Sequence, residues 1–128
     1  MYNYFFMNGY LWKIVKVDPF NPMLMDRTGR KTVATTDPNT RTVYLSSELI
    51  GDFLIKVLIH ELGHCTMISF GLLKDIHRMV YPEKWIEAEE WVCNFIADYG
   101  LMIFSIIRQY AGDDAIFYIP YELEKLIS

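Results

Sequence analysis

At 128 residues, with a formal charge of −4, 52% hydrophobic and 16% aromatic residues, the chain has the length of one domain, enough for a core but not for a separate recognition module. The charge balance excludes an electrostatic nucleic-acid footprint, because Arg27, Arg30, Lys31 and Arg41 cluster only around turns, where solvated charge is the ordinary explanation. Two cysteines, Cys65 and Cys93, do not make a disulfide framework and read as reduced, buried thiols of a cytoplasmic protein.

Along the chain, Asn3, Asn8 and aromatic residues stand where a signal peptide would have a basic start and a clean apolar core. Tyr10 to Val17 is rich in β-formers and is expected to be a strand, broken by Pro19 and Pro22. Lys31 to Thr36 and Arg41 to Leu45 flank the turn signal Asp37-Pro38-Asn39-Thr40, which predicts a hairpin. Ser46 and Ser47 offer an N-cap, and Glu48 to Phe70 then reads as a long helix closed by Gly71. Its run Phe53, Leu54, Ile55, Val57, Leu58, Ile59 is apolar nearly all round, so the helix is expected to be buried.

That helix carries His60-Glu61-Leu62-Gly63-His64. Residues four apart lie one turn apart on one face, so both imidazoles can reach a single metal ion, and Glu61 points toward the same side at the reach of an activated water. This is the HExxH arrangement of zinc hydrolases: two nitrogen ligands and a general base, here Glu61. The plainer reading is a pair of satisfied core histidines. Burying two imidazoles and a carboxylate on an apolar helix is costly without a partner, and a cation removes that cost.

A third ligand must come from downstream. The metzincin pattern needs a glycine three residues and a histidine six residues after His64, where Met67 and Phe70 stand instead. His77 lies beyond the helix end, before Tyr81-Pro82. A second helix opens at Pro82, runs to Ala111, and carries Glu83, Glu87, Glu89 and Glu90 in its first turns, although proline and acids there also mark any ordinary helix start. The most membrane-like segment, Trp91 to Ile107, contains Asn94, Asp98 and Ser105 and reads as a buried helix of a soluble protein, with no membrane role. Gly112-Asp113-Asp114 breaks the helix before a short strand at Ile116 to Ile119 and a short helix from Pro120.

The stretch Glu90-Trp91-Val92-Cys93-Asn94-Phe95-Ile96-Ala97 resembles the second motif of the ImmA/IrrE-like metallopeptidases. There a glutamate ligand is followed three residues on by a small residue, then by Asn or Asp, and soon by an apolar-Ala pair. Cys93 stands for the usual alanine, Asn94 matches, and Ile96-Ala97 stands for Phe-Ala; Val92 occupies a position where relatives often carry an acid. The spacing of 26 residues from His64 to Glu90 is also similar to that family's, and the resemblance covers about residues 42 to 100. It implies Glu90 as the third ligand of a Zn2+ ion, while Glu87, Glu89, Asp98 and His77 stay open as alternatives. Other small HExxH proteins, phage-encoded and SprT-like ones among them, share the first motif.

The fold so implied is α+β, a zincin-like single domain over residues 1–128, its small N-terminal sheet packed on the HExxH helix and a second long helix. The function implied is zinc-dependent hydrolysis of a peptide bond in a protein or peptide substrate. The chain opens with strands, so any repressor partner would be separately encoded. A strand beside the active helix would align the substrate. Asn94, one turn after Glu90, is placed to orient His60 or His64, with Asp98 the competing orienter. Tyr81, His77, Tyr99 and Tyr110 are candidates for the missing oxyanion partner, none singled out. The competing readings are a zinc-containing regulatory or binding module without peptidase activity, against which Glu61 argues, and an effector peptidase of the same chemistry. The apolar composition also allows a homodimer.

Overall fold

The β-formers at the chain's start make a hairpin in the computed structural model, which describes residues 2–112. Strands β1 (Tyr2–Met7) and β2 (Tyr10–Val17) pair antiparallel. They are joined by Asn8-Gly9, whose φ angles of 49° and 80° give the two-residue turn that matches strand twist. After β2 the chain makes a 3-10 turn at Pro22–Leu24, capped by Asn21, and a loop closed by a bridge between Met25 and Lys31. That bridge occupies Lys31, so the expected hairpin starts later, with β3 at Ala34–Asp37 and β4 at Thr42–Ser46. The strand β4 lies parallel to β2, and the order β1-β2-β4-β3 makes a mixed four-stranded sheet with β3 at an edge.

Helix α1 (Gly51–Ser69) packs on this sheet. Trp12, Ala34, Val43, Leu45, Leu49 and Cys65 form the core, and the Trp12 indole donates to the Ser69 hydroxyl at 2.8 Å, so its polar edge is satisfied while its area is buried. The helix starts later than expected: Ser46 ends β4, its hydroxyl accepts from the Glu48 N–H, and Ile50 is the cap without any side-chain bond. Burial also differs from expectation. Glu61, Gly63, Cys65, Met67 and Ser69 are buried, whereas Phe53 and Ile55 are exposed, because strands of four to eight residues cover only the later turns. The helix closes in a Schellman motif, with the Gly71 and Leu72 N–H groups bonded to the Ile68 and Met67 carbonyls and Gly71 at φ 66°.

A short helix that the sequence reading did not anticipate, α2 (Leu73–Met79), turns 95° from α1 and contains His77. A 3-10 turn at Pro82–Lys84 then leads into α3 (Trp85–Ala111). The chain divides into two units, Met1–Asp98 and Tyr99–Ser128. Within the first, α3 buries a stripe of Glu89, Cys93 and Ala97, spaced four apart, and exposes the stacked Trp91 and Phe95. Within the second, Leu101, Met102, Ile106 and Tyr110 are exposed. The expectation of a buried helix is therefore corrected: only one narrow stripe of α3 is covered among the described residues. By length and composition alone, Pro82–Ala111 is apolar enough to cross a membrane. Gly112 ends the helix at φ 77°, and the expected strand at 116–119 and helix from Pro120 lie outside the described residues.

Candidate metal centre

The pitch of α1 puts His60 and His64 on one face with their Nε2 atoms 3.2 Å apart. From α3, Glu90 brings its Oε2 to 2.9 Å from His64 Nε2 and 3.2 Å from His60 Nε2. Ligand atoms about 2.0–2.1 Å from a tetrahedral ion are about 3.3 Å from one another, so this triangle has the size that one ion would set. Glu90 Oε2 is buried and has no hydrogen-bond partner of proper direction despite the short distances. A buried carboxylate oxygen without a partner, beside two imidazole nitrogens that can each offer a lone pair, is what a shared cation would satisfy. His60 and then His64 hold the Glu90 carboxyl well below the usual carboxylate range, against the effect of burial. Glu90 in turn raises His60 above its ordinary value, burial opposes this, and the Asn94 side chain adds a smaller upward push.

Cys93, one turn beyond Glu90, belongs to the same cluster: ligand atoms of His60, His64, Glu90 and Cys93 all lie within 4.8 Å of one another, and the four could hold a metal ion. Its sulfur packs against α1 where Gly63 leaves room. A Cβ at position 63 would meet Cys93 Sγ at 3.1 Å. Burial pushes the Cys93 thiol up to about 12, as it does for Cys65 on the other side of α1, and both cysteines are free and buried.

Glu61 is 6% exposed, with Oε2 3.8 Å from His60 Nε2. The Thr36 hydroxyl on β3 donates to its Oε1 at 2.8 Å, which fixes the carboxylate's rotation. Burial raises the Glu61 carboxyl above its ordinary value, with His64, Thr36 and His60 pulling it back. The cluster opens into a cleft of about 220 Å³, lined among others by Arg27, Thr35, Thr36, Glu61, Glu89 and Glu90.

The other carboxylates and His77 are spent elsewhere. Glu89, 3% exposed, bonds Arg27 Nη1 through Oε1 at 2.9 Å and His77 Nε2 through Oε2 at 2.6 Å. Glu87 pairs with Lys84 on the surface and Asp98 with Lys56. Asn94 lies beside His60, the position from which it could orient that ring. Neither Tyr81 nor His77 is among the residues that line the cleft, and Tyr99 and Tyr110 belong to the second unit. Arg27 is not the solvated turn charge the sequence suggests; it is the partner of a buried acid. Thr36 and Arg27 were not legible in the sequence, because each owes its role to an approach between elements distant in sequence; of the two cysteines whose motif positions put them near the site, Cys93 and not Cys65 joins the cluster. The one available signal was the small-residue position three after Glu90, filled here by a thiol.

No family model, no curated protein and no solved structure matches this chain.

Proposed function

We propose that the chain is a zinc-dependent peptidase with a zincin-like, ImmA/IrrE-like site, in which His60, His64 and Glu90 hold the ion and Glu61 is the general base. The observation that carries this reading is the convergence of two imidazole nitrogens and an unsatisfied, buried carboxylate oxygen beside the buried Glu61 carboxylate held by Thr36. Bound zinc would supply a Lewis acid that acidifies water to a pKa of about 7 and polarises a carbonyl. Glu61, its proton affinity raised by burial, takes the proton of the attacking water and returns it to the leaving nitrogen. Thr36 keeps Oε1 occupied, so the second oxygen does this work. The edge strand β3 offers its main chain along the cleft, where Thr35 and Thr36 stand, to align an extended peptide. The substrate is a protein or peptide, and reduced buried thiols suit a cytoplasmic setting.

Cys93 favours a second reading. Four protein ligands would close the coordination sphere and make a binding or regulatory module rather than an enzyme. Protein purified without chelator is expected to carry about one zinc per chain. Under the peptidase reading Cys93→Ala keeps that zinc, whereas loss of zinc from this variant would favour the closed site. Metal-free protein whose melting temperature ignores added zinc would remove both.

A further inference from the structure

The peptidase reading leaves one role unfilled: a donor for the carbonyl oxygen of the substrate. As water adds, the new C–O bond forms, the water's proton passes to Glu61, and the carbonyl π pair moves onto that oxygen, which becomes negative. A group that stabilises it must face the cleft, carry N–H or O–H donors that are not already used, and be held still.

We propose that Arg27 is this residue, its guanidinium binding the carbonyl oxygen of the peptide and the charge that gathers there. It is the one cationic lysine or arginine side chain among the described residues that lines the cleft with Glu61 and Glu90. Its backbone is fixed by the turn that presents it. The Asp26 carboxylate accepts from the Thr28 N–H, the Thr28 hydroxyl and the Arg30 N–H, Gly29 takes φ 82°, and Asp26 N–H bonds the Arg30 carbonyl. Leu24, 1% exposed, anchors the chain just before this turn.

The side chain is fixed as well. Buried Glu89 takes Nη1, and its other oxygen is taken by His77, whose ring stacks on Trp85 at 4.3 Å while the Trp85 indole donates to the His77 carbonyl. A buried carboxylate between two such partners is expensive to assemble and, once made, directs both rigidly. Among the described residues Glu89 is the only hydrogen-bond partner of Arg27, and half of the side chain stays exposed, so further guanidinium N–H groups remain for an oxygen acceptor. Asp26, Glu61, Glu89 and Glu90 line the same cleft and disfavour a free carboxylate as the ligand. A neutral carbonyl that gains charge only during reaction suits this field.

The assignment rests on the peptidase reading, so its test reads zinc and binding separately. A short phosphinic peptide with alanine on both sides presents tetrahedral oxygens like those of the hydrated carbonyl. Its affinity for zinc-loaded protein is measured by calorimetry for wild type, Arg27→Met and Arg27→Lys. Zinc content is expected to stay at the wild-type level in both variants, while probe affinity falls about 10- to 100-fold in Arg27→Met, the loss of a charge-assisted bond. Arg27→Lys keeps a cation for Glu89 and so protects the fold, but loses the planar fork, and is expected to bind between the two. Unchanged probe affinity with full zinc overturns the assignment, as does a zinc-loaded wild type indifferent to the probe. Parallel loss of zinc and probe marks Arg27 as structural support and also overturns it. Wild type without zinc fails the peptidase reading first, and this assignment with it.

Discussion

Gly63 sits in the interior of α1 between Leu62 and His64, where glycine costs about 1 kcal/mol relative to alanine on helix propensity alone. Gly63→Ala should therefore stabilise the protein by about 1 kcal/mol if nothing touches that face. The structure says otherwise: the new Cβ would lie 3.1 Å from Cys93 Sγ, 3.4 Å from Cys93 Cα and 3.5 Å from Cys93 Cβ. The first distance is tighter than ordinary van der Waals contact, so Cys93 must give by a few tenths of an ångström, and it has no long side chain to swing away. Overpacking of this kind costs about 1–3 kcal/mol, so the net change is expected to be a loss of about 0–2 kcal/mol. Because His64 adjoins Gly63 and Glu90 lies one turn before Cys93, helices pushed apart by a few tenths of an ångström widen the ligand triangle, and zinc affinity falls as well. Denaturant melts of the chelated protein and zinc titration against a competing chelator should be run on Gly63→Ala, Cys93→Ala and the double variant. Removing the sulfur leaves only ordinary contacts, so the two changes should couple favourably by about 1 kcal/mol. A Gly63→Ala protein more stable by the full propensity gain, with unchanged zinc affinity, would refute the argument.

Glu61→Gln is expected to retain zinc and fold while losing hydrolysis by about 10²- to 10⁴-fold; new protein termini in a lysate treated with wild type, mutant or chelated enzyme, read by mass spectrometry, check this, and termini made equally by the mutant would remove Glu61 as base. Glu90→Gln should weaken zinc binding far more than Glu87→Gln or Glu89→Gln, since only Glu90 reaches both imidazoles among the described residues, and equal affinities across the three would overturn that ligand set. In chelated protein His60 is raised above 6.5, so its contribution is present below 6.5 and lost as pH rises through the folded value. Glu90 is lowered below 4.5, so its contribution is present above 4.5 and lost as pH falls through the folded value. The two together stabilise the metal-free site most in mildly acid solution, whereas zinc competes with protons and should raise the melting temperature more at about pH 8 than at about pH 5. Melting curves with zinc and with chelator across that range test the opposed slopes, and a zinc effect that grows toward acid pH would contradict them.

The sequence by itself determined what depends on local spacing. HELGH fixes two imidazoles and a carboxylate through helical pitch, and the strand at Tyr10–Val17 and the turn at Asp37-Pro38-Asn39-Thr40 follow from residue preference over a few positions. Even the choice among the acids of the second helix was narrowed only by resemblance, because Glu87, Glu89 and Glu90 point in three directions from one turn and sequence does not say which direction faces α1. Tertiary packing decided that Glu90 meets the histidines while Glu89, one residue earlier, turns to Arg27 and His77. It also decided that Thr36 holds Glu61, that the Cys93 thiol comes within 4.8 Å of the ligand atoms of His60, His64 and Glu90, and that, among the described residues, α3 buries only the stripe of Glu89, Cys93 and Ala97. Periodicity shows that a helix has an apolar face but not how much partner surface is available to cover it, and a contact between residues 62 apart, as for Arg27 and Glu89, leaves no trace in local pattern.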